Sequence, residues 1–303
     1  MPAKKGPAKG TVPVNIPQPQ ILDFGIGLIG VTPTISNAFP QKIREKLVAD
    51  HMHMPEALIP HEAKDPCANF SACIHYVKSK DGGVNFAMPG SSFKGAMVAA
   101  CRMTNKKLDM ASAKQFFQVI PFRVQMYGDE PIMCEHRVRN DNGGVDIRHR
   151  AMYCRWSVIL PIRYHAGSIS KESLIYLAEL AGFGCGIGDW RIAAPKSPNG
   201  QMGAFRVARE GEIVGPAYSK WCAKNPFDWD EFEQYGIVPP ARVEYYRKAA
   251  EMVRGLPPEQ RGTPKKGKSR KAVPTAAAAA AIINGVQPVD GLEPPDDGYV
   301  PQQ

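Results

Sequence analysis

The chain contains no apolar run approaching the ~20 residues that a membrane-spanning helix needs. Its opening, MPAKKGPAKG, is basic but is followed by no apolar stretch, which argues against a secretory leader. The seven cysteines are odd in number and have neither close pairs nor CxxC spacing. That excludes a disulfide framework and a zinc-ribbon pattern and reads as reduced thiols in a cytoplasmic protein. His51, His53, His61 and Glu62 include an HxH pair, but Pro55 and Pro60 interrupt them and no full ligand set follows. An irregular surface loop is the expectation, with no metal and no cofactor.

What is present points toward a polyanion. The net charge is +9; residues 1–10 contribute +3, residues 255–303 contribute +1 and the body carries +5. Residues 1–18 are rich in Pro, Lys and Gly and read as a disordered basic arm. Arg261–Lys271 holds six positive residues and no acid, an alanine run follows, and Asp290, Glu293, Asp296 and Asp297 close the chain. Residues 256–303 therefore read as a low-complexity tail.

Between these ends the periodicities are clear. Leu22, Phe24, Ile26 and Leu28 alternate with Asp23, Gly25 and Gly27, predicting a strand over 21–31 with one nearly bare face. Pro40 suits the start of a short helix carrying Ile43 and Leu47. Phe70–Val77 alternates as a strand, Asp81-Gly82-Gly83 signals a turn, and Asn85–Met88 returns. Ser91 or Ser92 is the expected N-cap of a helix through about Met103, with Lys94 and Arg102 near a possible phosphate site. A strand over 118–127 follows. Tyr153–Tyr164 is then predicted as a long strand with Cys154, Trp156, Val158, Leu160 and Ile162 inward and Arg155, Ser157 and Arg163 on the other face. Ser170 caps a helix whose apolar face is Leu174, Leu177, Ala178 and Ala181, with Gly182 at C′. Residues 210–255 form an extension. Its aromatics Trp221, Phe227, Trp229, Phe232 and Tyr235 suit packing on the core or on a neighbouring subunit, and Pro239-Pro240 opens a final helix closed by Gly255.

Two stretches carry the chemistry. Residues 133–152, MCEHRVRNDNGGVDIRHRAM, read as a hairpin. Arg137 and Arg139 project together from one arm, and Arg148 and Arg150 from the other, beside His149. Two arginine pairs suit phosphates, although Glu135, Asp141 and Asp146 could neutralise several. The second stretch is Gly182–Val207, GFGCGIGDWRIAAPKSPNGQMGAFRV. Its alternating glycines allow backbone N–H groups to converge on an anion or another backbone to approach closely. Trp190 and Arg191 beside them are base-stacking and phosphate-binding residue types, and Tyr153 is a second candidate for stacking.

The order of elements, strand, helix, strand, basic hairpin, strand, helix, glycine loop, strand, is β-α-β-β-α-β. It predicts an α+β ferredoxin-like (RRM-like) core over 19–209 with an inserted β-hairpin thumb at 133–152. PGSSFKG at Pro89–Gly95 resembles the PGSSLKG motif of the RAMP superfamily. GFGCGIGDWR…GQMGAF resembles its glycine-rich loop before the last strand. The resemblance covers roughly residues 20–209, and extends to backbone, thumb-bearing subunits of CRISPR effector complexes and to uncharacterised bacteriophage proteins with a GIGDWR-then-GxF pattern. It implies a subunit that polymerises head to tail on single-stranded nucleic acid, RNA or DNA, as a homo-oligomer, in the host cytoplasm if phage-encoded and without membrane attachment. The residues it nominates are Lys94, Arg137, Arg139, Arg148, His149, Arg150, Arg155, Trp190 and Arg191, with Gly184, Gly186, Gly188 and Gly203 shaping the loop. No catalytic residue is assigned. Two alternatives stand beside it: a RAMP-type ribonuclease with Asp146, His136 and His149 as candidate acids and bases, and a structural or interaction protein of a virus particle.

Overall fold

Strand β1 (Ile21–Gly30) is the central element, because its alternation gives it a face for the helices and a bare face behind. In a computed structural model of the chain, residues 18–39, 41–53, 64–79, 82–139, 144–194 and 200–256 are described. They belong to a unit covering Met1–Pro258; Glu259–Gln303, a separate unit, lies outside the described residues, as does most of the basic arm.

The remaining elements follow in chain order. β2 (Thr34–Ser36), α1 (Gln41–His51), α2 (Pro66–Ala72), β3 (His75–Lys78), β4 (Val84–Pro89) and α3 (Gly90–Ala100) make the first half. α4 (Met110–Phe116), β5 (Phe117–Val119), β6 (Arg123–Gln125) and β7 (Tyr127–Gly128) connect to a hairpin of β8 (Ile132–Arg139) and β9 (Val145–Tyr153). β10 (Trp156–His165), α5 (Lys171–Gly184) and β11 (Phe205–Val207) complete the core, and α6 (Pro216–Lys224), α7 (Trp229–Glu233) and α8 (Pro240–Gly255) form the extension.

The main sheet runs β11-β1-β10-β5, with β7 also on β10, and every pairing is antiparallel. β10 lies between β1 and β5, which α3 joins; β1 lies between β10 and β11, which α5 joins. The buried core gathers Ile26 and Leu28 of β1, Trp156, Val158, Leu160 and Ile162 of β10, Phe93 and Met97 of α3, and Leu174 and Leu177 of α5. Each such side chain contributes about 1.5–3 kcal/mol through burial. Two smaller sheets, β2-β9-β8 and β3-β4-β6, flank it. The fold is thus mixed α+β with several antiparallel sheets.

Four expectations need correction. The strand expected over Phe70–Val77 begins only at His75, and residues 70–72 are helical, because the Asp65 carboxylate accepts from the N–H groups of Cys67 (2.9 Å) and Ala68 (3.1 Å) and Pro66 occupies the first turn of α2. The strand over 118–127 breaks into β5, β6 and β7 in different pairings; Pro121 has no N–H for a ladder, and the Phe122 carbonyl turns to the Gly90 N–H at 2.8 Å. Tyr153 ends β9, and the next strand begins at Trp156. Ser157, on the reverse face of β10, is fully buried and accepts from the Gly215 N–H at 3.3 Å, so the extension covers part of that face. The open remainder carries Asp23 and Arg163, paired in two bonds of 2.8 Å. No helix among the described residues is long and apolar enough to cross a membrane.

Candidate functional site

Helix α5 leads directly into the glycine loop. Ser170 caps its start, accepting from the Ser173 N–H at 3.1 Å. The helix then runs two residues past Gly182, so Gly182 is helical and not C′. A side chain there would place Cβ 1.8 Å from the Phe205 carbonyl, so the missing Cβ lets β11 lie on the helix. Gly184 likewise faces Met103. Gly186, Gly188 and Gly203 have φ of 65°, 78° and 70°, the left-handed region that glycine enters freely. An added Cβ on Gly203 would lie 1.9 Å from the Ile187 carbonyl, and one on Gly188 would lie 2.5 Å from that of Ile35.

These close approaches form a seam of hydrogen bonds. Ile187 N–H donates to Gly203 O (3.0 Å), Gly203 N–H to Pro33 O (2.7 Å), Asp189 N–H to Ile35 O (3.0 Å) and Gly186 N–H to Ala181 O (2.9 Å). The amides of Gly186, Ile187, Asp189 and Gly203 are therefore occupied by protein carbonyls rather than turned to an anion. Trp190 adopts φ 59°, an uncommon conformation for a bulky residue. Its ring packs 4.5 Å from His136 of the hairpin, in a cluster with Ile35, Cys134, Met152 and Ile237. It is a clamp between loop and hairpin, not an open stacking platform.

The two sequence motifs meet in space. PGSSFKG and the glycine loop both line a groove of about 390 Å³, the first through Ser91, Ser92 and Gly95 and the second through Gly186, Gly188 and Arg191. The helix begins at Gly90 with Pro89 as cap residue, so Ser91 and Ser92 lie inside the first turn rather than capping it. Asn37, His75 and Asp189 also line the groove. Burial, then the charge of Arg123, holds the His75 imidazole below its usual pKa, and its Nδ1 is buried without a hydrogen bond among the described residues. Asp189 accepts from Asn37 Nδ2 at 2.9 Å and pairs with Arg150 Nη1 at 3.0 Å. Arg191 Nη1 donates to Gly188 O at 3.3 Å. Lys94 stands half-buried on α3 outside the groove lining and makes no ion pair among the described residues.

The hairpin register sorts its arginines. Arg137 opposes Ile147 and His136 opposes Arg148, so Arg137 and Arg139 share one face while Arg148 and Arg150 share the other. The pairs therefore cannot grip from one side. Arg150 is 6% exposed and forms an ion pair with Asp189, although its Nη1 makes no well-aligned hydrogen bond among the described residues. Arg148 is half-exposed near Asp146, whose carboxylate bonds Lys64 at 2.6 Å. Arg137 is exposed and has no ion pair among the described residues. The Arg139 side chain, and Asp141 at the turn, lie outside the described residues. His149 bonds Glu135 at 3.0 Å and meets the Tyr246 ring edge-on at 5.2 Å. Glu135 also accepts from Tyr246 Oη and Arg242 of α8. Burial opposes its ionisation, but the bonds from Tyr246 and His149 and the Arg242 charge prevail and lower its pKa.

Arg155 is structural as well. It makes two bonds to Asp129 (2.6 and 2.8 Å), reaches the carbonyls of Cys222 and Asn225, and lies over the rings of Trp221 and Phe227. It pins the aromatic extension to the core. Tyr153 is 1% exposed and cannot offer a free ring face. The composition of the motifs drew attention to arginine and tryptophan. Asn37, His75 and Tyr246 carried no local signal, because their surroundings are supplied by residues remote in sequence; Glu135 was visible only as a counter-charge within the hairpin, and Asp189 only as part of Asp-Trp-Arg. Among the described residues no group of three His, Cys, Asp or Glu side chains is arranged to hold a metal ion. No protein-family model matches the chain, and no curated protein matches it significantly.

Proposed function

We propose that the protein is a non-catalytic, sequence-tolerant single-stranded nucleic-acid-binding subunit that assembles head to tail along the strand. The observation that carries this reading is the meeting of PGSSFKG and the glycine loop on one groove, tied through Asp189 and Arg150 to the foot of a basic hairpin. Supporting it, the order β11-β1-β10-β5 is compatible with the connectivity proposed for a ferredoxin-like core, with the hairpin read as an insertion between its second and third strands. Such sheets recur among single-strand binders, and the resemblance to thumb-bearing RAMP subunits rests on the same elements. Phosphates would meet Arg137, Arg148, Lys64 and Arg191, each exposed or partly exposed. Binding is favoured over ribonuclease chemistry because Asp146 is held by Lys64, His149 by Glu135, and His136 is packed beneath Trp190.

The test is oligonucleotide binding followed against salt. Affinity is expected to fall steeply between about 50 and 200 mM salt. An Arg137→Ala/Arg148→Ala double variant should weaken binding uniformly across sequences and reduce the salt slope by about two. Salt-insensitive binding, or binding unchanged in the double variant, overturns the proposal. Nuclease typing of material that co-purifies with the protein separates RNA from DNA.

A further inference from the structure

We propose that a second pocket, at the foot of the hairpin, receives a single unpaired nucleobase; this rests on the single-strand reading above. The pocket, about 200 Å³, is lined by Asn85 and Phe86 of β4, Gln125 of β6, Tyr127 of β7, Tyr153 at the end of β9 and Ser219 of α6. It is smaller than the ~300–1,000 Å³ of drug-sized sites and larger than one water requires, which restricts its occupant to one or two fused rings.

Three of its polar side chains, those of Tyr153, Asn85 and Gln125, have no hydrogen-bond partner among the described residues. Tyr153 is 1% exposed, and its hydroxyl has no hydrogen-bond partner among the described residues. Native structures pair such groups with protein, water or ligand. Neither the Asn85 nor the Gln125 side-chain amide makes a hydrogen bond among the described residues. Each amide presents a donor and an acceptor in one plane, the pattern that reads a base edge. Ser219 Oγ accepts from the Gly128 N–H at 2.9 Å and keeps its own proton to donate. Phe86 and Tyr127 supply aromatic surface.

Charge selects the occupant. Asp129 and Glu130 also line the pocket; Asp129 is matched by Arg155, while Glu130 is exposed. No Lys or Arg contributes to the lining, so a phosphate would meet carboxylates and no cation. A neutral heterocycle meets neither obstacle. The pocket also lies where the chain enters and leaves the hairpin, between Asp129 and Tyr153, at the base of the element proposed to hold the strand.

The experiment titrates the full chain with adenosine, guanosine, cytidine and uridine, monitored by calorimetry. In parallel, it compares an oligonucleotide with one carrying abasic positions. At least one nucleoside should bind, and Tyr153→Phe and Asn85→Ala/Gln125→Ala should each weaken it by about tenfold. Abasic substitution should weaken oligonucleotide binding without changing its salt slope. Either variant serves if circular dichroism shows the other to be misfolded. Absence of nucleoside binding, or equal binding by the variants, overturns the proposal and leaves an ordered water as the occupant. If oligonucleotides still bind in a salt-dependent manner, the phosphate reading survives that failure; if they do not, both fall.

Discussion

Arg148 and Arg150 stand two residues apart on one face of β9, yet their surroundings are opposite. Arg150 is at the base of the hairpin, buried and paired with Asp189, where the glycine loop and Trp190 press against the strand. Arg148 is nearer the turn and half-exposed. The same division runs across β8: Glu135 and His136 are held by α8 and by Trp190, whereas Arg137 is exposed. Residue type does not determine role here; distance from the clamp does. An arginine in the clamp positions the hairpin, and one beyond it stays exposed.

The largest test of this division is at the clamp. Gly203→Ala forces Cβ against the Ile187 carbonyl at positive φ, and a loss of more than about 3 kcal/mol is expected in denaturant unfolding. A near-neutral result would mean that the seam does not hold the base. Arg150→Ala is next, at about 3 kcal/mol, since it leaves Asp189 without its buried cation. Asp189→Asn in the same chain should recover part of that loss.

The third test is pH. Burial holds the His75 and His136 pKa values below 6.5, so the unfolded chain takes up protons first. Stability should therefore fall as pH drops from 6.5 toward the folded-state values. Glu135, with its lowered pKa, adds stability present above its ordinary 4.5 and lost as pH falls through the folded value. Hydrogen exchange should show the hairpin base loosening in these windows, and His136→Gln should flatten the first. A pH-independent base would remove the distinction. The smallest effect belongs to the tip: Arg137→Ala and Arg148→Ala should each change stability by no more than about 0.5 kcal/mol. A loss approaching that of Arg150→Ala would make the whole hairpin structural and withdraw the proposed interface.

Much of the frame was legible locally. The alternation of β1, the inward row Trp156, Val158, Leu160 and Ile162, the Ser170 cap and the Pro240 and Gly255 ends of α8 each depend on neighbours in sequence. The failures also have local causes that alternation alone concealed. At α2 the Asp65-Pro66 cap prevailed over a period-two pattern, and at 118–127 Pro121 broke a ladder. The site was less legible. Glycine spacing marked a close approach, but not that the approaching carbonyls would be those of Pro33 and Ile35. Arginine spacing marked which side chains share a face, but not that the hairpin register would place the two pairs on opposite faces.

By itself, the sequence determined the elements and the positions where main chain must approach main chain, because periodicity, caps and the absence of a Cβ act over a few residues. Only the tertiary structure decided which cations remain accessible. It brought Asp189 to Arg150, Glu135 to His149 and Asp129 to Arg155, and it enclosed Tyr153 with its hydroxyl unpaired among the described residues. Those outcomes depend on desolvation and on partners supplied by distant strands, and neither exists until the sheets have assembled.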